Sequence, residues 1–139
     1  MAQAAADGLS YTFALRPGVT WHDGAPFSAR DVKFTFDQIV DLKSGSRLRS
    51  DFAAIDGVDI VDSLTVRIRL KTPFAPLLTL LGYNAGILPE HLLKGKKLTD
   101  AVAFNRTTPI GTGPFRIEKA APGSSVTLVR NARYYGTQP

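Results

Sequence analysis

A chain of 139 residues with 44% hydrophobic and 21% charged residues is large enough for a buried core and ordinary in composition for a globular protein. The absence of cysteine excludes disulfides, thiolate nucleophiles and cysteine metal sites. The net charge of +5 is spread along the sequence, and its one dense run, Lys94–Lys97, lacks interleaved aromatics, which argues against a nucleic-acid partner.

The first third of the sequence predicts a strand followed by a helix. Tyr11–Arg16 alternates apolar and polar residues, as a half-buried strand does. Ser28–Leu42 predicts a helix, because Ser28 can cap its free amides and Asp31 stands three residues later as a shortened capping-box partner. The apolar stripe of this helix, at a spacing of about 3.6 residues, comprises Val32, Phe36, Ile39 and Val40.

The remaining predicted elements are two hairpins and two short helices. The hairpins are predicted at Ile55–Val61 with Leu64–Lys71 and at Phe115–Lys119 with Val126–Arg130. The short helices are predicted at Pro76–Leu81 and Pro89–Lys94, and a short strand fits within Gly82–Leu88. Hairpins mixed irregularly with helices predict the α+β fold class. We expect residues 1–8 to be a linker-like lead-in and residues 9–139 to form a single domain.

The run Trp21–Gly24 raises the question of catalysis. His22 beside Asp23 suggests a general base with its orienting acid, but adjacent residues of an extended segment point to opposite faces. No serine or cysteine nucleophile stands in a recognisable motif, so a small hydrolase is the weaker alternative. We predict instead a turn with Trp21 in the core, and no enzyme activity. The histidines, His22 and His91, are too few and too distant in sequence to suggest a metal site, and no cofactor is expected.

A glycine-rich run, Gly111–Pro114, is the second notable motif. Its glycines permit close approach of the backbone, and its proline rigidifies the turn. One interpretation is a loop at a binding cleft that offers Thr112 or backbone amides to a ligand. The other interpretation is a tight structural turn that leads into the following strand. No Gly-Lys-Ser/Thr follows, so a phosphate-binding P-loop is excluded.

Several runs, taken together in their order and spacing, carry a family resemblance from about Asp7 to Gly136. They are Tyr11–Val32 with its central WHDG, Val58–Lys71, Thr72–Pro76, Leu88–His91, Pro109–Phe115 (PIGTGPF) and Arg130–Gly136. This set resembles the extracytoplasmic solute-binding proteins of the peptide/nickel (family 5) ABC importers. The sequence departs from the family pattern at Glu90, where lysine is common, and at Tyr135, where tryptophan is usual.

The resemblance implies a lobe like that of the type II periplasmic binding proteins, with antiparallel hairpins packed against a few short helices. Family members have two lobes that close on a solute and deliver it to the membrane permease of an ABC importer. They are several hundred residues long, so we expect this chain to be an interior part of the first lobe, without the second lobe. The implied solute is oligopeptide-like, a nickel complex or an oligosaccharide. The implied location is the periplasm or the cell surface, although the N-terminus has no signal-peptide pattern.

The candidate solute contacts are Tyr83, Asn84, Arg106, Gly111, Thr112 and Gly113. The resemblance places Tyr83 and Asn84 near the cleft, although aromatic side chains more often fill cores. Arg106 can hold a solute carboxylate through two hydrogen bonds, or stand in water on the surface. One alternative is a structural subdomain with no ligand of its own. Apolar surface left bare by the missing lobe also predicts self-association of the chain.

Overall fold

The computed structural model describes residues 2–98, 101, 104 and 108–138. The chain divides into two compact units: Met1–Arg16 with Ser28–Glu90, and Pro17–Phe27 with His91–Pro139. The elements in chain order are β1 (Ala2–Ala4), β2 (Ser10–Ala14), α1 (Ala29–Val40), a 3-10 turn (Arg47–Arg49), β3 (Ile55–Asp62), β4 (Thr65–Leu70), α2 (Leu77–Asn84), α3 (Glu90–Leu93), β5 (Phe115–Ala121) and β6 (Ser125–Arg130). Helices and antiparallel strands are mixed in the described residues, which confirms the predicted α+β class.

The first unit contains an antiparallel sheet in the order β1-β2-β4-β3. One of its two central strands, β4, alternates as predicted: Val66, Ile68 and Leu70 are buried, whereas Arg67 and Arg69 are exposed. A hydrogen bond of 2.8 Å from the Leu64 N–H to Asp62 Oδ1 closes the β3–β4 turn. Strand β1 lies within the predicted lead-in at residues 1–8 and pairs with β2, so this part of the lead-in belongs to the sheet.

Helix α1 begins where the sequence predicts and ends two residues before the predicted Leu42. The capping box is complete: Ser28 Oγ accepts a hydrogen bond from the Arg30 N–H (3.3 Å), and Asp31 Oδ2 accepts one from the Ser28 N–H (2.9 Å). The helix ends at Val40 because the Asp41 carboxylate accepts a hydrogen bond from the Lys43 N–H (2.9 Å), a local turn that competes with helix continuation.

The core of the first unit lies between α1 and the sheet. Phe36, on the predicted stripe, contacts Phe52 edge-to-face with ring centroids 5.5 Å apart, and both rings are buried. Thr35 is also buried, which the apolar pattern does not predict. Its hydroxyl donates to the Asp31 carbonyl and accepts from the Leu88 N–H, each at 2.8 Å, so this polar group is satisfied.

Helix α2 corrects the sequence reading of the segment that follows the first hairpin. It covers Leu77–Asn84, three residues beyond the predicted end at Leu81, and takes up residues that we assigned to a short strand. The described residues between α2 and α3 contain no strand. A run of leucines favours helix and a single Gly82 is tolerated within it, so the helix continues until the chain turns extended at Ala85.

The second unit contains the β5–β6 hairpin, close to its predicted bounds. A bulge lies between Ile117 and Lys119, which shifts the register by one residue. The hairpin turn uses Gly123 at φ 77°, a left-handed conformation that glycine adopts without steric strain. Among the described residues, no helix combines the length and the apolar character needed to cross a membrane.

Candidate functional site

The run Trp21–Gly24 in the second unit is a turn, as the sequence predicts. The Trp21 N–H donates to the Ala25 carbonyl and the Gly24 N–H donates to the Trp21 carbonyl, both at 2.8 Å. Trp21 is 2% exposed, and its ring contacts those of Phe27 and His91. Its indole Nε1–H is buried without an acceptor among the described residues, so its position in the core carries a polar cost.

His22 joins this turn to the glycine-rich loop rather than to Asp23. Its backbone N–H donates to the Gly111 carbonyl (2.9 Å), and its ring Nδ1 accepts from the Gly111 N–H (3.2 Å). Its ring Nε2 lies 3.1 Å from the Gly113 carbonyl oxygen. Because a carbonyl only accepts, this set of bonds requires the neutral tautomer with the proton on Nε2. His22 therefore positions the loop, and both ring nitrogens are occupied.

The loop is held from a second direction by Asn131, which is 6% exposed. The Asn131 Nδ2 donates to the Gly113 carbonyl (2.9 Å), and its backbone N–H donates to the Pro114 carbonyl (2.8 Å). Its Oδ1 accepts from the Arg133 N–H (3.0 Å), so the amide is satisfied at both ends. These contacts support the structural interpretation of the Gly111–Pro114 run, because the carbonyls of Gly111, Gly113 and Pro114 are already bonded within the chain.

The backbone conformation of this loop does not require glycine at positions 111 and 113. Neither Gly111 nor Gly113 has a positive φ. A Cβ added at Gly111 would come no closer than 3.5 Å to His22 Cε1, and one at Gly113 no closer than 3.9 Å to the Phe115 carbonyl oxygen. Both distances are ordinary contacts. Neither backbone conformation nor crowding among the described residues therefore requires glycine at these two positions, and the cleft interpretation stays a prediction.

Asp23 pairs with His91 instead of its neighbour His22. Its Oδ2 lies 2.7 Å from His91 Nε2, and its Oδ1 accepts from the Ala25 N–H (3.1 Å). Burial raises the pKa of Asp23, but the hydrogen bond from His91, the bond from Ala25 and the charge of His91 together lower it below its ordinary value. The base and acid that adjacency in sequence suggests are therefore not paired with each other.

The predicted solute contacts fall in both units. In the first unit Tyr83 is 87% exposed, and Asn84 Nδ2 donates to Asp51 Oδ2 (2.9 Å). In the second unit Gly111, Thr112 and Gly113 are consecutive in the loop and half-buried. Arg106 lies outside the described residues. Within the described residues no cluster of three or more His, Cys, Asp or Glu side chains is placed to hold a metal ion.

Removing the His22 side chain should loosen the glycine-rich loop. His22→Ala deletes the ring contacts to Gly111 and Gly113, and leaving a polar group without its partner costs about 1–3 kcal/mol. We expect hydrogen exchange of the Gly111 amide to accelerate by roughly tenfold or more. His91→Ala is the matched control, because that ring contacts Asp23, outside the loop. Equal acceleration in the two variants would show that His22 does not position the loop.

The antiparallel hairpins and short helices superpose on part of solved solute-binding proteins, so the fold is that of part of a type II periplasmic-binding-protein lobe. The chain belongs to the bacterial extracellular solute-binding proteins, family 5, whose model matches residues 2–139. It is 40% identical, over 135 residues, to a Brucella ovis protein named as an ABC transporter peptide-binding protein. That match covers 96% of this chain and 25% of the relative.

Solved structures agree with this assignment. NikZ from Campylobacter jejuni, in complex with Ni(L-His), superposes with a TM-score of 0.91 at 36% identity, over 99% of this chain and 27% of NikZ. The oligopeptide-binding protein AppA from Bacillus subtilis, in complex with a nonapeptide, gives a TM-score of 0.90 at 27% identity, over 97% of this chain and 27% of AppA. The chain thus spans about a quarter of the length of these proteins.

Proposed function

We propose that this chain is part of the solute receptor of an ABC importer, a non-catalytic module that binds solute when two lobes close around it. The family match over residues 2–139 carries this proposal. The chain contributes part of the first lobe, and the second lobe and the permease are its partners. The receptor works in the periplasm or at the cell surface, because the family is described as extracellular.

The solute is a peptide or a small molecule of similar polarity. The names of the relatives support this class, since the Brucella ovis protein is named for peptides and AppA holds a nonapeptide. NikZ holds Ni(L-His), so a nickel complex is a second candidate of the same polar class. The third proposed solute is an oligosaccharide.

The proposed contacts with solute are Tyr83, Asn84, Arg106, Gly111, Thr112 and Gly113. The exposed ring of Tyr83 is free to stack on a solute, and Asn84 keeps its amide oxygen as an acceptor beside the bond to Asp51. The unhindered glycines allow the solute to approach the loop backbone next to Thr112. His22 and Asn131 hold this loop in place through their hydrogen bonds to the Gly113 carbonyl.

The chain alone should not bind a solute peptide with micromolar or tighter affinity. Ligand pockets bury most of the ligand and place a few polar groups around it, and a module spanning a quarter of its relatives supplies only part of that enclosure. We expect no calorimetric signal with di- to pentapeptides. A dissociation constant that is micromolar or tighter would contradict the requirement for a second lobe.

The transport role is tested in cells that carry the encoding gene. Deleting the gene should abolish uptake of at least one labelled di- to pentapeptide or nickel–histidine complex, and re-expression should restore it. Unchanged uptake of the whole panel would reject the importer role. That result would leave the structural alternative, a subdomain without a ligand of its own, which the internal hydrogen bonds of the Gly111–Pro114 loop favour.

A further inference from the structure

The first unit carries an open groove between the end of α1 and the start of β3. Its volume is about 460 Å³, and it is lined by Leu42, Gly45, Ser46, Arg47, Arg49, Ser50 and Ala53. This volume falls within the roughly 300–1,000 Å³ typical of sites that bind ligands. The groove contains none of the proposed solute contacts, so it is a separate feature of the surface.

Two cationic side chains, Arg47 and Arg49, line the groove, and Lys43 is close to them in sequence. Lys43, Arg47 and Arg49 are exposed, and none of them has a carboxylate partner within 4.0 Å in the described residues. The nearest carboxylates in sequence, those of Asp41 and Asp51, form hydrogen bonds to other groups. Asp41 accepts from the Lys43 backbone N–H, and Asp51 accepts from the Asn84 side chain, each at 2.9 Å. Some other cations of this unit are paired with carboxylates: Arg30 with Glu90, Lys33 with Asp37 and Arg69 with Asp59.

An exposed leucine stands beside these charges. Leu42 lines the groove and is 73% exposed, although most leucines of this unit are at least half-buried. Arginines around an apolar side chain are typical of protein–protein interfaces, where arginine is enriched and often carries much of the binding energy. We propose that this groove binds a protein partner that presents carboxylates next to an apolar side chain.

A protein segment fits this groove better than a lipid surface does. A bilayer is flat on this scale and contacts protruding side chains, whereas Ser46, Arg47 and Ser50 line a concavity. The arginine guanidinium matches a carboxylate through two parallel hydrogen bonds, and an extended acidic segment can place such groups within the groove. Leu42 then contributes apolar area that a purely electrostatic partner would not use.

The test uses the whole chain and a short peptide that alternates glutamate and leucine. In nitrogen–proton correlation spectra at low salt, we expect amide shifts to concentrate in residues 42–53. The same peptide with glutamine for glutamate should shift them much less, and about 0.5 M salt should suppress the shifts, because exposed charges are then largely screened. No shifts at millimolar peptide, or equal shifts with the glutamine peptide, would overturn the proposal.

Matched variants locate the binding. The double variant Arg47→Gln/Arg49→Gln should raise the dissociation constant for the peptide roughly tenfold. The double variant Lys96→Gln/Lys97→Gln loses the same charge and should leave that dissociation constant unchanged. Leu42→Ser should weaken peptide binding without changing the charge of the chain. This variant is a second test of the proposal if the arginine variant folds poorly. Equal weakening by the lysine pair, or arginine-dependent binding to phosphatidylserine vesicles in place of the peptide, would overturn the protein-partner assignment.

Discussion

Phe36→Ala should lower the free energy of unfolding by about 3–5 kcal/mol, the usual range for truncating a buried aromatic side chain. Phe36 is 2% exposed and its edge-to-face partner Phe52 is fully buried, so the cavity cannot fill without displacing a second ring. Small domains have only about 5–15 kcal/mol of stability in total. Urea unfolding followed by circular dichroism measures the loss as a lower midpoint at unchanged slope.

The matched control is Phe34→Ala, the same truncation on the same helix. Phe34 lies off the apolar stripe and is half-buried, so its removal should cost clearly less than that of Phe36. Equal losses at the two positions would mean that the α1 stripe does not define the core of this unit.

Elements whose signals are local could be predicted closely. The stripe of α1 and its Ser28 cap lie within a few residues of each other, and the alternation of β4 repeats over six residues. Boundaries were less accurate where side chains compete with the backbone. The Asp41 turn ends α1 early. Strand β1 was missed because its three residues, two alanines and a glutamine, have low strand propensity, and the strand is formed by pairing with β2.

The contacts of the candidate site were beyond sequence reasoning because they join distant residues. His22 and Gly111 are 89 residues apart, and Asp23 and His91 are 68 apart. Adjacency suggested a partner for His22 that the structure does not use. Asn131 gave only a weak signal, an asparagine directly after a predicted strand. The family resemblance identified the Gly111–Pro114 loop in the sequence, but it did not indicate that His22 and Asn131 bond to it.

Asp31 shows how a local motif acquires a second, long-range role. The sequence suggests it as a capping-box partner for Ser28, and its Oδ2 does accept from the Ser28 N–H at 2.9 Å. Its Oδ1 accepts in addition from the Glu90 N–H at 2.9 Å, at the first residue of α3. One carboxylate, only 4% exposed, thus satisfies free amides at the starts of two helices that are distant in sequence.

Asp31→Ala should lower the free energy of unfolding by about 2–6 kcal/mol, because it leaves two partly buried N–H groups without an acceptor and each costs about 1–3 kcal/mol. Thermal and urea unfolding measure the loss, and hydrogen exchange should accelerate at the amides of both Ser28 and Glu90. Asp37→Ala is the control on the same helix, since its exposed pair with Lys33 is worth no more than about 1 kcal/mol. Acceleration at Ser28 alone would show that Asp31 caps α1 but does not hold α3.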